Sequence, residues 1–199
     1  MHVILFVCII MSELLLKLAT WNVLFPVHHT FRNSCMKKIF LYVAYLNIGS
    51  MKTMCTFGKG GVALLWRKDI DNNVSPLMCD DDRIIGLQYQ LLPSNYVFIF
   101  QLYLPCSNHS IDSFRNYIHR LYELWYSYSD LGTVIFMGDF NCSLERDGIR
   151  DKLFSKFLYD VNYNVVNYLH ICKGANCTFV SYDDMYRSMI DSTVLHMQK

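Results

Sequence analysis

Apolar and polar positions along the chain change period several times, and each change marks an element. "RIIGLQYQLL" and "NYVFIFQLYL" are two long runs rich in β-branched and aromatic residues, joined through Pro93-Ser94-Asn95. They predict an antiparallel hairpin. The next stretch, "SIDSFRNYIHRLYELWYSYSD", abandons that pattern: Ile111, Phe114, Ile118, Leu121 and Trp125 recur at steps of three and four. That spacing predicts an amphipathic helix with Ser110 as its N-cap. "TVIFM" returns to strand, Leu153, Phe154, Phe157, Leu158 and Val161 predict a second helix, and "CTFVSYDD" and "SMIDSTVL" read as late strands. Nearer the start, "LKLATWNVLF" (16–25) and "GGVALLWRK" (60–68) are strands, the second opening from a glycine-rich turn. Hairpins interrupted by helices imply a layered α/β domain with mixed or antiparallel sheets.

The first residues need a separate reading. "MHVILFVCIIMSELLLK" carries an apolar run from Val3 to Met11 of signal-peptide length. It lacks a basic leading region and a small-residue cleavage site, and it is too short to span a bilayer. Residues 1–15 are therefore set apart as an apolar leader, either a buried strand or an unstructured segment, and 16–199 as one domain. No later run reaches transmembrane length, so no membrane partner is expected and an intracellular location is favoured over secretion.

Composition narrows the class. Apolar residues make up 53% and charged residues 18% of 199, which describes a packed domain rather than a disordered chain. The 13 Phe and 14 Tyr suit sheet cores. With 18 Lys and Arg against 17 Asp and Glu, the chain cannot grip nucleic acid by bulk charge, so any phosphate contact must be local. The eight cysteines are scattered with no C-x-x-C pair, which fits free thiols in a reducing compartment rather than a zinc site.

One short segment carries chemistry. "TVIFMGDFNC" places Asp139 and Asn141 two residues apart at a strand end. If the backbone stays extended there, both project to one side. A carboxylate that orients water beside an amide that holds an oxygen suits phosphodiester chemistry. The competing reading is an Asx-type turn that closes the strand.

"FGKGGVALLWRK", "QLYLPCSNHSIDSFRNYI", "TVIFMGDFNC" and "RSMID" follow the order and spacing seen in the endonuclease/exonuclease/phosphatase superfamily, over about residues 56 to 195. The wording most resembles the apurinic-type endonuclease domain of non-LTR retrotransposons. The resemblance implies a four-layer α/β sandwich of two packed sheets flanked by helices, with a divalent metal, Mg²⁺ or Mn²⁺, at the strand ends. It implies that Asp139 orients the nucleophilic water and that Asn141 sits at the scissile phosphate. Tyr103 would lean on the phosphate or metal. Cys106 replaces the Asn that follows the Y-x-P motif, leaving Asn108 to cover for it. Asp191 and Ser188 match the acid and the serine of a late motif, and Asn22 in "TWN" matches a metal contact. DNA is the implied partner; the sequence leaves the oligomeric state open, with a monomer the expectation.

Departures from the pattern are as informative. The metal-binding Glu has no counterpart, since 35 residues lie between Asn22 and Gly58, too few for the expected helix, strand and loop. Nor does the Ser-Asp-His motif whose imidazole Asp191 would steer. His196 lies at an odd offset from Asp191 and faces away on a strand. The expectation is a metal-dependent phosphodiesterase of retroelement origin, lacking an edge unit and degenerate, with weak or no activity. A non-catalytic remnant serving as a binding module, or a phosphatase on the same scaffold, are the alternatives.

Overall fold

A computed structural model gives the architecture and describes residues 2–12, 15–25, 51–55, 62–168, 177–180 and 185–196. The glycine-rich turn before residue 62 lies outside them.

Two sheets form the body. The first has the order β2-β1-β4-β3, from β1 (His2–Ser12), β2 (Leu15–Phe25), β3 (Met51–Cys55) and β4 (Val62–Arg67). β1 runs antiparallel to β2 along its whole length and parallel to β4, so the apolar segment at the start of the chain is a strand inside this sheet. A boundary between residues 15 and 16 thus falls inside β2, after its first residue. The second sheet has the order β5-β6-β7-β8-β12-β9. Its members are β5 (Val74–Leu77), β6 (Ile84–Leu92), β7 (Asn95–Tyr103), β8 (Thr133–Asp139), β9 (Asn164–Val165) and β12 (Asp191–Leu195). β10 (Phe179–Val180) and β11 (Arg187–Ser188) make a two-stranded ribbon beside it.

The expected hairpin is β6–β7, antiparallel, with Ser94 in the left-handed region (φ 62°) at its turn. Gly86 lies opposite Phe100, and a Cβ there would meet the ring at 2.7 Å, so β6 needs a glycine to let that aromatic lie across it. α1 (Ile111–Tyr128) crosses back to make β7 and β8 parallel. Ser110 caps it, its hydroxyl accepting from the Ser113 N–H at 3.1 Å. Its fully buried stripe is Phe114, Ile118, Leu121 and Leu124, with Ile111 and Trp125 only partly buried at its margins. α2 (Ile149–Asp160) buries Phe154, Phe157 and Leu158.

Alternation along the second sheet divides the core in two. Phe98, Phe100, Phe136 and Val194 face α1 and α2, where they join the helix aromatics. Ile85, Leu87, Val97, Ile99, Ile135 and Met137 face the first sheet and meet Val62, Leu64 and Trp66 of β4. Sheet, sheet and helices are three of the four layers of the sandwich. Each buried large side chain contributes roughly 1.5–3 kcal/mol. Among the described residues no helix is long and apolar enough to cross a membrane.

Candidate active site

Strand register lines up four chemically capable side chains. Tyr103 pairs with Asp139 across β7–β8, and Asp139 with Asp191 across β8–β12. Arg83, just before β6, accepts the Tyr103 N–H on its carbonyl at 2.9 Å. Arg83, Tyr103, Asp139 and Asp191 thus form one row across the sheet, on the face that packs against the first sheet. Behind it comes a second row of Ile85, Gln101, Met137 and Thr193. Residues opposite one another in such a ladder have Cβ atoms about 4.5–5.5 Å apart.

Each residue of Gly138-Asp139-Phe140-Asn141 has its own task. Gly138 has φ 134° and Asn141 φ 51°, both unusual for a residue with a side chain, and between them the chain turns off the strand. Asp139 Oδ1 accepts the Asn141 N–H at 2.8 Å, which is an Asx turn. The expectation that Asp139 and Asn141 share a face through strand alternation is corrected here: extended geometry ends at Asp139, and Asn141 is placed by its left-handed backbone. Its amide Nδ2 donates to the Leu104 carbonyl at 2.7 Å, and the Leu104 N–H donates to the Asp139 carbonyl at 2.8 Å. Phe140 is buried against Phe154, ring centroids 4.6 Å apart, and its N–H donates to Ile190 at 2.9 Å. The segment is therefore stitched to the Tyr103 loop on one side and to the approach to β12 on the other.

Burial sets the electrostatics. Asp139 is 3% exposed, and desolvation, then the neighbouring Asp191 charge, push its pKa up to about 7. Asp191 is 4% exposed and burial pushes it up to about 6, with a hydrogen bond from Thr178 pulling the other way. Its Oδ1 has no partner, and neither amide atom of Gln101, 0% exposed, has one. Tyr103 is raised by burial, then by Asp139 and Cys106, while Arg83, 5.1 Å over its ring, opposes them. Its phenol is therefore a proton donor at neutral pH.

The orphaned oxygens test the implied metal. Asp139, Asp191 with its unpaired Oδ1, the Gln101 amide and the Tyr103 phenol lie in adjacent rows on one face, and an all-oxygen set suits Mg²⁺ or Mn²⁺. The set fits a hard cation, although no group of three His, Cys, Asp or Glu gathers among the described residues. Asn22 lies on β2 opposite Leu5, and its side chain is outside the described residues.

Other expected residues divide. Asn108 lines a cavity of about 660 Å³ that also touches Cys106, Asn141 and Arg146. Ser188 is buried on β11, opposite Phe179, where its carbonyl accepts the Thr178 N–H at 3.0 Å. It does not line that cavity. His196 follows β12 with Nε2 3.2 Å from the Asn162 amide. Pattern reading missed Arg83, Gln101, Arg146 and Asp151. Gln101 alone left a signal, as the one polar residue inside "FIFQLYL". Cys79, Cys106, Cys142 and Cys177 are free thiols.

No family model matches the chain, and no curated protein matches its sequence. Solved structures do match in shape. The endonuclease domain of TRAS1, a telomere-specific non-LTR retrotransposon, superposes with a TM-score of 0.61 at 11% identity, over 98% of this chain and 85% of that one. The 3′ phosphatase NExo from Neisseria, bound to a product DNA hairpin, gives 0.54 at 18% identity, over 77% of this chain and 70% of that one. An endonuclease/exonuclease/phosphatase family protein from Leptotrichia buccalis gives 0.54 at 12%, over 80% and 66%. Together with the two packed sheets and the row at their mouth, these likenesses show that the chain has the endonuclease/exonuclease/phosphatase fold.

Proposed function

We propose that this chain is a phosphodiester hydrolase domain of the DNA endonuclease type, of retroelement origin, whose catalytic set is incomplete and whose turnover is slow. The observation that carries the reading is the convergence of Tyr103, Asp139 and Asp191 in one row, with Asn141 folded over its end. A pKa of about 7 suits Asp139 as a general base, because it is half ionised where the enzyme works. Held by the Asn141 N–H, its carboxylate takes the proton of an attacking water and keeps its orientation. Asn141 gives one amide proton to Leu104 and has a second for a phosphate oxygen. The Tyr103 phenol, kept protonated, donates to the same group. A bound Mg²⁺ or Mn²⁺ would supply charge stabilisation at the phosphate.

Slowness follows from what stands beside Asp191. Among the described residues no imidazole approaches it to serve as acid for the leaving oxygen, a role worth roughly 10²–10⁴-fold. That feature also favours a second reading, a non-catalytic DNA-binding module. Nicking of supercoiled plasmid in Mg²⁺ or Mn²⁺ separates the two. Slow, metal-dependent nicking that disappears in Asp139→Ala supports the hydrolase; wild type and variant behaving alike refutes it.

A further inference from the structure

The cavity beside Asn141 contains two arginines, and they are not equivalent. Arg150 is tied to the protein at both ends of its fork: Nη1 donates to the Pro105 carbonyl at 2.8 Å, Nη2 to the His109 carbonyl at 2.6 Å, and the group lies 5.0 Å over the Phe114 ring. It pins the loop after Tyr103. Arg146 is different. Only its Nη2 is engaged, with Asp151 Oδ1 at 3.1 Å and the Asn141 carbonyl at 3.4 Å, and its side chain is 44% exposed. Nη1 and Nε donate to no described residue, leaving three N–H groups for an occupant of the cavity.

Asp151 explains how Arg146 is held. Its side chain is 7% exposed and engaged at both oxygens: Oδ1 accepts from the Ser143 N–H at 2.8 Å and from Arg146, and Oδ2 from the Gly148 N–H at 3.0 Å. A Cβ on residue 148 would lie 2.7 Å from that Oδ2, so a side chain there would displace the carboxylate. This carboxylate is tied to the protein and serves to aim the guanidinium. Cys106, Ser107, Asn108 and Asn141 also line the cavity, and its apolar part comes from Ile149, Phe179 and Ile190. About 660 Å³ far exceeds the needs of a lone phosphate and matches a pocket for a nucleotide-sized group. Ile149 and Phe179 keep about half their surface exposed, which suits the face of a base or sugar.

We propose that Arg146, braced by Asp151, binds a backbone phosphate next to the scissile one, and that the cavity takes the nucleotide flanking the scissile phosphate in a nucleic-acid strand. The inference rests on the phosphodiesterase reading and gives it a substrate class: a phosphodiester strand rather than a small phosphate monoester. In a nearly neutral chain attraction for the backbone has to be local, and this guanidinium supplies part of it at the cavity.

The test is binding of fluorescein-labelled DNA oligonucleotides by fluorescence polarisation across a salt series, for wild type, Arg146→Ala and Arg146→Lys, alongside nicking kinetics. Circular dichroism checks that the variants fold. Arg146→Ala should weaken oligonucleotide binding on the order of tenfold and lower the slope of log affinity against log salt by about 1. Arg146→Lys should restore the slope but only part of the affinity, and inorganic phosphate should compete poorly with the oligonucleotide. In the nicking assay the alanine variant should raise KM more than it lowers kcat. No oligonucleotide binding by wild type, or the same affinity and salt slope in Arg146→Ala, overturns the proposal. Arg146-dependent binding without any nicking would leave it standing while the hydrolase reading fails. Nicking indifferent to Arg146 would do the reverse.

Discussion

Asp139→Asn should stabilise the fold while abolishing activity. The substitution keeps the acceptor that the Asn141 N–H uses, so the Asx turn survives. It removes an ionisable group that burial and Asp191 carry from 3.8 to about 7, a displacement equivalent to about 4 kcal/mol. Between those two values the unfolded chain has released the proton and the folded chain still holds it. The folded state then binds more protons, so wild-type stability falls as pH rises through this window and levels off above it. The asparagine variant escapes that fall. Its advantage should be small at pH 4 and reach about 2–4 kcal/mol at pH 8, part of the full figure being lost to relaxation around the site. Urea unfolding followed by circular dichroism at pH 4, 6 and 8, with EDTA present to exclude divalent cations, measures the difference. If the variant is no more stable than wild type at pH 8, or gains equally at pH 4 and pH 8, the opposed-carboxylate account of this site is wrong. Nicking by the same protein should fall by at least about 10².

Three further outcomes follow from the same packing. Gln101→Leu removes two buried amide atoms without partners and should raise stability by about 1–3 kcal/mol in EDTA, read from urea midpoints; a loss would show that the amide has a partner after all. Phe136→Ala empties a site between the sheet and both helices and should cost about 3–5 kcal/mol, visible as a fall in Tm. Arg150→Ala releases the carbonyls of Pro105 and His109, so amide hydrogen exchange over residues 106–109 should quicken while exchange in β7 and β8 stays slow.

Local pattern carried a good share of this fold. The β6–β7 hairpin, α1 with its Ser110 cap, α2 and the return to strand at β8 all follow from side-chain period and capping chemistry within a few residues. The identity of Asp139, Tyr103 and Asp191 as residues of interest came from motif wording. Their arrangement did not. Strand alternation put Asn141 on the wrong footing, because φ 51° is a property of the turn and depends on Leu104 and Ile190, neither of them near in sequence.

Composition and periodicity, then, determined most of the elements, the layered α/β class and a short signature compatible with phosphodiester chemistry. Tertiary structure decided everything that depends on register. Residues 83, 103, 139 and 191 come from separate parts of the chain and align only because four strands pair at one offset, and a slip of one residue would turn each side chain to the other face. The raised carboxylates, the orphaned Gln101 amide and the half-exposed Arg146 beside an Arg150 pinned at both Nη atoms are consequences of that packing. Burial and hydrogen-bond competition are relations between distant residues, and they exist only once the sheets have closed on each other.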